Sequence, residues 1–386
     1  MGQLLSEPIV DKMSDTGEDE RLLFGTSSMQ GWRISMEDTH ACILDLQRED
    51  GKSAPDPHIS FFAVYDGHGG TKAAVFAGQQ LHKIVARQAA FEQGDYEQAL
   101  KDGFLSTDRA ILQDPTFGQD RSGCTATTAI ITDNKIYCAN AGDSRTVLGV
   151  KGQAKPLSYD HKPQNEGEKA RIQAAGGFID GGRVNGNLAL SRAIGDFEFK
   201  KSPDLPPEEQ VVTALPDVIE HESGEDDEFL VLACDGIWDC FSSQAVIEFV
   251  RRGIAEKQSL QLICENLMDN CLAPTSDLAG VGCDNMTVTI VGLLNGKTKE
   301  EWYDMIATRV ANGEGAVADP ELATIRGPPN ISRQEQHNIS DSPDEALDDI
   351  ERETESESES ATEPEPKPEG EDTELETMSE SKKSAE

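Results

Sequence analysis

The stretch Phe61-Phe62-Ala63-Val64-Tyr65-Asp66-Gly67-His68-Gly69-Gly70 joins an apolar segment directly to a carboxylate and three glycines. Five successive apolar or aromatic residues predict a buried strand, and the glycines mark its end. The stretch from Phe229 to Cys234 repeats this arrangement and runs into Asp235. Asp143 and Asp284 also lie beside predicted strands. Four predicted strand ends therefore each offer a carboxylate.

Strand and helix signals interleave irregularly along the chain. The predicted strands are Ala41–Leu46, Ile59–Tyr65, Thr125–Thr132, Lys135–Ala141, Thr146–Val150, Glu228–Cys234 and Met286–Leu293. The predicted helices are Thr71–Gln93, Tyr96–Gln113, Ser243–Glu256 and Ser259–Leu272. Strands joined by tight turns, with helices arriving in pairs, predict antiparallel sheets with helices packed outside them. The fold class is therefore expected to be a layered α+β architecture.

The net charge excludes several kinds of partner. The chain has 72 Asp and Glu against 34 Lys and Arg, a formal net charge of −38. Such a protein is repelled by phosphate backbones and anionic lipid surfaces, so nucleic acid is not expected as a partner. Residues 341–386 are strongly acidic, and no aromatic residue follows Tyr303. We therefore predict disorder beyond about Arg326.

The N-terminus carries a sequence pattern that bears on membranes. Met1-Gly2-Gln3-Leu4-Leu5-Ser6 fits the pattern for myristoylation of Gly2, with an unmodified start as the alternative. A single acyl chain gives at most weak membrane contact. The sequence contains no apolar run long enough for a transmembrane helix and no secretory signal, so we expect a cytoplasmic or nuclear protein.

Carboxylates that follow buried strands need a partner, because burial of an unpaired charge is costly. Any one Asp-Gly pair taken alone is more often a simple turn, but this chain has several of them. Lys and Arg are too scarce to neutralise all the acids, which favours metal ions. Oxygen ligands without cysteine pairs favour Mg²⁺ or Mn²⁺. Two such ions would suit a phosphohydrolase.

The motifs also carry a resemblance to a known family. The segment from Ser28 to Asp38 resembles the opening motif of the type 2C (PPM) metal-dependent protein serine/threonine phosphatases, and the chain is most similar to fungal members. The further family motifs follow in order: Val64 to Gly70, Ser122 to Ala126, Ala141 to Arg145, Leu157 to Pro163, Ala189 to Asp196, Cys234 to Asp239 and Asp284 to Thr287. The resemblance implies a four-layer αββα sandwich of two antiparallel sheets flanked by pairs of helices.

The resemblance implies a dinuclear Mn²⁺ or Mg²⁺ centre. Asp66 would bridge two ions, and Asp235 and Asp284 would ligate one of them. The Gly67 carbonyl and, through water, Glu37 would serve the other. A hydroxide held between the ions would attack phosphorus, so that no covalent phosphoenzyme forms.

Further residues receive roles by the same resemblance. Asp38 would lie in the same ligand shell. Asp143 and Asp239, together with Asp235, match a weaker third metal position. Arg192 and Asp196 also belong to a matching motif, and we interpret them as a structural ion pair or turn cap.

Two further residues are the candidates for direct roles in the reaction. Arg33 would hold two phosphate oxygens with its planar guanidinium, the alternative being an ordinary surface charge. His68 would protonate the leaving serine or threonine oxygen, the alternative being a metal ligand. The stretch 200–215 falls where the family has a mobile flap beside its active site.

These expectations give four segments. They are an N-terminal segment 1–21, a catalytic domain 22–295, a short helical extension 296–325 and a disordered acidic tail 326–386. The expected function is hydrolysis of phosphoserine and phosphothreonine in phosphoprotein substrates, as a monomeric negative regulator of kinase signalling, with stress-activated or checkpoint kinases as substrates by analogy. The alternatives are a pseudo-phosphatase scaffold that binds kinases and an acidic cation buffer.

Overall fold

Two antiparallel sheets lie face to face in the computed structural model, which describes residues 4–46, 56–276 and 280–316. The strands are β1 (Leu4–Glu18), β2 (Leu22–Arg33), β3 (Thr39–Ile43), β4 (Ser60–Tyr65), β5 (Gly67–His68), β6 (Gly123–Cys124), β7 (Ala126–Ile131), β8 (Lys135–Ala141), β9 (Arg145–Val150), β10 (Gln153–Pro156), β11 (Ile179–Asp180), β12 (Arg183–Val184), β13 (Ile194–Gly195), β14 (Asp217–Glu222), β15 (Asp227–Ala233) and β16 (Met286–Leu293). The predicted tail 326–386 and Gly2 lie outside the described residues.

The described residues also form eight α-helices. They are α1 (Lys72–Ala86), α2 (Ala89–Glu92), α3 (Tyr96–Gln113), α4 (Glu166–Ala174), α5 (Asp235–Trp238), α6 (Ser243–Ala255), α7 (Leu260–Cys271) and α8 (Lys299–Ala311), with short 3₁₀ helices at Phe197–Phe199 and Pro207–Glu209. Within the described part of the chain, no helix is both long and apolar enough to cross a membrane.

The two sheets and their helices form four layers. One sheet has the strand order β1-β2-β16-β15-β9-β10, and the other has the order β14-β8-β7-β4-β3. Residues such as Phe24 and Leu230 of the first sheet pack against Phe62 and Ile131 of the second between the layers. Helices α6 and α7 pack on the first sheet, whereas α1 and α3 pack on the second. The predicted αββα sandwich is confirmed.

The first sheet begins earlier than the expected domain start at Leu22. β1 pairs along β2, with Met13 opposite Ser28 and Leu4 opposite Arg33. β1 is an edge strand whose residues are mostly exposed, so it lacks the apolar alternation that identifies a half-buried strand. Its partner β2 is almost wholly buried, but it contains glycines and serines. Because these residues do not favour strands, the sequence did not predict β2.

A buried ion-pair network holds helix α8 against the sandwich. Trp302 of α8 is fully buried in the core between the first sheet and its helices. The carboxylate of Glu228, on β15, is fully buried and lies 2.8 Å from Nε of Arg251 and 2.9 Å from Nη1 of Arg309. Nη1 of Arg251 also bonds to the carbonyl of Glu314. One carboxylate thus compensates two guanidinium groups and links α8 to β15 and α6.

Replacement of Glu228 by glutamine should therefore destabilise the protein strongly. Both arginines would lose their buried counter-charge, and breaking a buried pair in this way costs about 3–5 kcal/mol. Urea unfolding of Glu228→Gln measures the loss. The matched control is Glu97→Gln, which removes an exposed helical pair with Lys101 and should cost about 0.5 kcal/mol or less. Equal losses in the two variants would contradict a stabilising role for the network.

Candidate metal centre

A cleft of about 500 Å³ opens where strand ends of both sheets meet. β2 and β16 are paired neighbours in the first sheet, so they bring Arg33, at the end of β2, beside Asp284, which precedes β16. β4 of the second sheet contributes Asp66. The predicted site residues that line the cleft are Arg33, Glu37, Asp66, Gly67, His68, Asp143, Asp235 and Asp284. The sandwich thus gathers residues that lie up to 251 positions apart.

The backbone of Asp66 is fixed by Thr125. The Asp66 N–H donates to Oγ1 of Thr125 at 3.2 Å, and the Thr125 N–H donates to the Asp66 carbonyl at 2.9 Å. Oγ1 of Thr125 also lies 2.6 Å from the hydroxyl of Ser144, the residue after Asp143. These bonds hold the end of β4 and the turn between β8 and β9 together. The backbone at Asp66 and the turn that carries Asp143 are therefore linked through Thr125.

The carboxylate of Asp66 takes part in two groups of potential metal ligands. One group contains Asp66, Asp143 and Asp235, and the other contains Asp38, Asp66 and Cys234. Within each group the ligand atoms lie within 4.8 Å of one another. Asp38 stands behind the cleft, where one of its oxygens accepts a bond from Oγ1 of Thr287 at 2.7 Å. Its other oxygen, Oδ1, is buried and has no partner.

The carboxylates raise one another's pKa values. Burial raises the pKa of Asp66 well above its ordinary range, and the neighbouring carboxylates, with Asp235 first, raise it further. Burial and the adjacent Asp143 do the same for Asp235. Burial raises the pKa of Asp38 to about 7, although the bond from Thr287 opposes this shift. Burial and mutual repulsion therefore disfavour the charged form of these carboxylates, and a bound divalent cation would favour it.

The chain's own cations neutralise only part of the cluster. Arg33 pairs with Asp284, and Lys162 pairs with Asp143. Of the described lysines and arginines, none forms an ion pair with Asp66 or Asp235. Together with the unpaired Oδ1 of Asp38, this donor set of carboxylate oxygens fits Mg²⁺ or Mn²⁺.

The remaining predicted ligands, Glu37, Asp239 and Gly67, belong to neither group of potential metal ligands. Glu37 already has partners for both oxygens, because Ser35 Oγ donates at 2.8 Å and the Gly70 N–H donates at 3.1 Å. Asp239 is exposed at the C-terminal cap of α5. Gly67 has no room for a side chain, since a Cβ there would lie 2.2 Å from the carbonyl oxygen of Glu37. Glycine at this position therefore lets the loop before β3 close over the cluster.

His68 has a partner that the sequence interpretation assigned to a structural role. Nε2 of His68 lies 2.6 Å from Oδ2 of Asp196, a buried residue in the left-handed backbone region with φ 52°. A Cβ at Gly123 would lie 2.2 Å from Oδ2 of Asp196 and 2.6 Å from Nε2 of His68, so the pair requires glycine there. Burial lowers the pKa of His68, but the carboxylates of Asp196, Asp143 and Glu37 together outweigh it, and the net shift is upward.

Two contacts at the site were missed in the sequence. Asp196 contacts His68 rather than serving only as a turn cap. Arg192, by contrast, binds Glu168 at 2.7 Å and Asp217 at 2.7 Å and does not line the cleft. Cys234, expected to be merely a buried apolar residue, places its sulfur against the carboxylates and accepts a bond from the Thr287 N–H at 3.1 Å. Asp196 and Cys234 are end residues of two quoted motifs, and this was the available signal.

Residues 200–215, which were expected to lie beside the cleft, do not line it. The cleft is lined by Arg183, Leu188, Ala189 and Leu190, and by no residue of 200–215. We call residues 166–215 the cap segment, because it carries this lining and has a small apolar core of its own. The cap-segment residues that line the cleft therefore come from the middle of this segment.

Comparison with known proteins identifies the family. The sequence model for "Protein phosphatase 2C" matches residues 22–278. The chain belongs to the protein phosphatase 2C family. It is 66% identical over 344 residues to protein phosphatase 2C homolog 2 of Hypocrea jecorina, with 89% of this chain and 77% of that protein covered. It is 60% identical to protein phosphatase 2C homolog 2 of Schizosaccharomyces pombe, with coverages of 86% and 89%.

Solved structures of this protein phosphatase 2C fold agree with the sequence match. A phosphatase from a pathogenic strain of Toxoplasma gondii superposes with a TM-score of 0.61 at 25% identity, covering 75% of this chain and 97% of that chain. The expectation of a metal-dependent protein serine/threonine phosphatase, similar to fungal members, is confirmed.

Proposed function

We propose that this protein phosphatase 2C chain hydrolyses phosphoserine and phosphothreonine by direct attack of water, with Mn²⁺ or Mg²⁺ held by the carboxylate cluster. The observation that carries the proposal is the carboxylate of Asp66, which is shared between two ligand groups and has no ion-pair partner among the described lysines and arginines. A carboxylate in this position can serve two cations at once. Two ions in the core and a weaker third then follow from the resemblance.

The cleft offers no free hydroxyl for a covalent intermediate among its described lining residues. Ser35 donates to Glu37, and the hydroxyl of Thr125 is bonded to the Asp66 N–H and to Ser144. The Cys234 thiol lies behind the carboxylates and has its own hydrogen bonds. Water is therefore the nucleophile that this arrangement favours. No phosphoenzyme is required.

Different acidic residues would bind the ions on different sides of the centre. Asp66, Asp143 and Asp235 would form one side of the centre, and Asp38 extends it on the other side. Glu37, Asp239, Asp284 and the Gly67 carbonyl are assigned by the resemblance. Divalent cations, when bound, supply Lewis-acid activation of water and neutralise charge on the phosphoryl group.

Arg33 would bind the phosphoryl oxygens. Its side chain is 39% exposed at the cleft, and only one of its nitrogens, Nη2, bonds to Asp284. The planar guanidinium carries five N–H donors, so donors remain for two phosphate oxygens while Asp284 fixes its orientation. A lysine would lose this forked geometry.

His68 would donate the proton to the leaving serine or threonine oxygen. Because Asp196 occupies Nε2, the nitrogen left for the leaving group is Nδ1. Asp196 positions the ring in the way that a carboxylate orients histidine in other hydrolytic sites. The alternative role of His68 as a metal ligand is less favoured, since Nε2 has a carboxylate partner.

The biological role rests on the resemblance. We propose a monomeric negative regulator of kinase signalling in the cytoplasm or nucleus, with stress-activated or checkpoint kinases among its substrates and at most weak membrane contact through a lipid on Gly2. The intact carboxylate set disfavours a pseudo-phosphatase scaffold, because a scaffold has no need for unpaired buried acids.

The proposal is tested by hydrolysis of a phosphothreonine peptide by the metal-free protein and after addition of Mn²⁺. We expect the rate with Mn²⁺ to exceed the metal-free rate by on the order of a thousandfold, because metal activation is worth several kcal/mol. Excess chelator should abolish the gain, and further Mn²⁺ should restore it. Activity that survives chelation would contradict the metal mechanism, and inactivity with Mn²⁺ would favour the scaffold.

The acid role of His68 is tested through Asp196→Asn, since asparagine tolerates the left-handed backbone. Loss of the positioning carboxylate should slow a phosphothreonine peptide about a hundredfold and an aryl phosphate far less, because a good leaving group needs little protonation. His68→Ala should add little to the loss in the double variant. The exposed cap-segment variant Asp204→Asn is the control and should leave both rates unchanged. Equal losses on both substrates would refute the assignment.

A further inference from the structure

The mouth of the cleft has an apolar wall beside Arg33. Ile34 directly follows Arg33, lines the cleft and is 58% exposed. It belongs to none of the apolar clusters that the described residues form. A single exposed isoleucine is ordinary on a protein surface. This one, however, lines the cleft next to Arg33, the residue that would bind the phosphoryl group.

The cap segment places a second apolar wall on the same cleft. Leu188 is half-buried, and it lines the cleft while packing against the cap-segment core. Its backbone is held to Val184, whose N–H donates to the Leu188 carbonyl at 2.7 Å. Ala189 and Leu190 continue the lining. The cleft therefore changes from carboxylates on its floor to aliphatic side chains at its mouth.

A second cationic side chain, besides Arg33, lines the cleft with these apolar residues. Arg183 also lines the cleft, and its Nη1 donates to the carbonyl of Asn187 at 2.7 Å. This bond turns part of the guanidinium toward its own loop. An acidic substrate side chain could still use the remaining donors. The two possibilities, apolar and acidic recognition, predict opposite peptide preferences.

We infer that the cleft selects phosphopeptides with an aliphatic side chain within two positions of the phosphoresidue, and that Ile34 is a specificity-determining residue for this contact. The inference rests on the proposed function, because it assumes that Arg33 binds the phosphoryl group. An extended chain advances about 3.3 Å per residue, so a residue two positions away is about 7 Å from the phosphoresidue. Ile34 is adjacent to Arg33 in the chain and falls within this reach. Leu188 faces the same space from the cap segment.

The test uses a set of phosphothreonine peptides. Each peptide carries one varied residue, and the varied position runs from two residues before the phosphothreonine to two residues after it. Leucine, glutamine and glutamate are compared at each position by kcat/KM with Mn²⁺. We expect leucine to be favoured at one position or more by on the order of tenfold. Ile34→Gln should bring this ratio close to one, whereas Ile34→Val should preserve it. Leu112→Gln, which changes an exposed leucine of α3 outside the cleft, should leave it intact.

Three results would overturn the inference while the proposed function stands. They are equal rates for leucine and glutamine at every position, a leucine preference that persists in Ile34→Gln, and a preference for glutamate over leucine that disappears in Arg183→Gln. If the native protein hydrolyses none of the peptides with Mn²⁺, the proposed function itself fails and the inference fails with it. The native protein's rate therefore separates the two failures.

Discussion

The mutual repulsion of buried carboxylates is the constraint on which this structure depends. Burial raises the pKa values of Asp66 and Asp235, and each carboxylate adds to the shift of the other. The nearby cations are committed to Asp284 and Asp143. The cluster is therefore a preorganised site whose free energy falls when divalent cations bind. Part of the negative charge of the folded region is therefore the buried carboxylate cluster, which the proposed metal-dependent hydrolysis requires.

The sandwich can hold these charges together because each is attached to a rigid strand end. Hydrogen bonds in both directions between Thr125 and Asp66 fix the backbone at Asp66, and the β2–β16 pairing brings Arg33 beside Asp284. Two glycines make the close approaches possible. Gly67 allows the Glu37 loop to pack against β5, and Gly123 leaves room for the pair of His68 with Asp196. The function that we propose thus depends on backbone contacts as much as on the ligands.

Sequence reasoning predicted the parts with strong local signals. The apolar run before Asp66 is the strand β4, and the helices after Tyr96 and Ser243 begin where the apolar spacing indicated. It missed β1, because an exposed edge strand needs no apolar alternation. It also gave Asp196 a structural role, because that residue meets His68 across 128 positions of sequence and no local pattern records such a contact. The aliphatic wall at Leu188 depends on the cap-segment fold in the same way.

The most direct test of the repulsion account is thermal unfolding of the native protein and of Asp66→Asn, each without metal and during titration with Mn²⁺. Removal of one buried, repelled charge should make the metal-free variant unfold at a higher temperature than the metal-free native protein. Mn²⁺ should raise the native unfolding temperature strongly and that of the variant much less. A metal-free variant that unfolds at a lower temperature, or an equal Mn²⁺ effect on both proteins, would contradict the account.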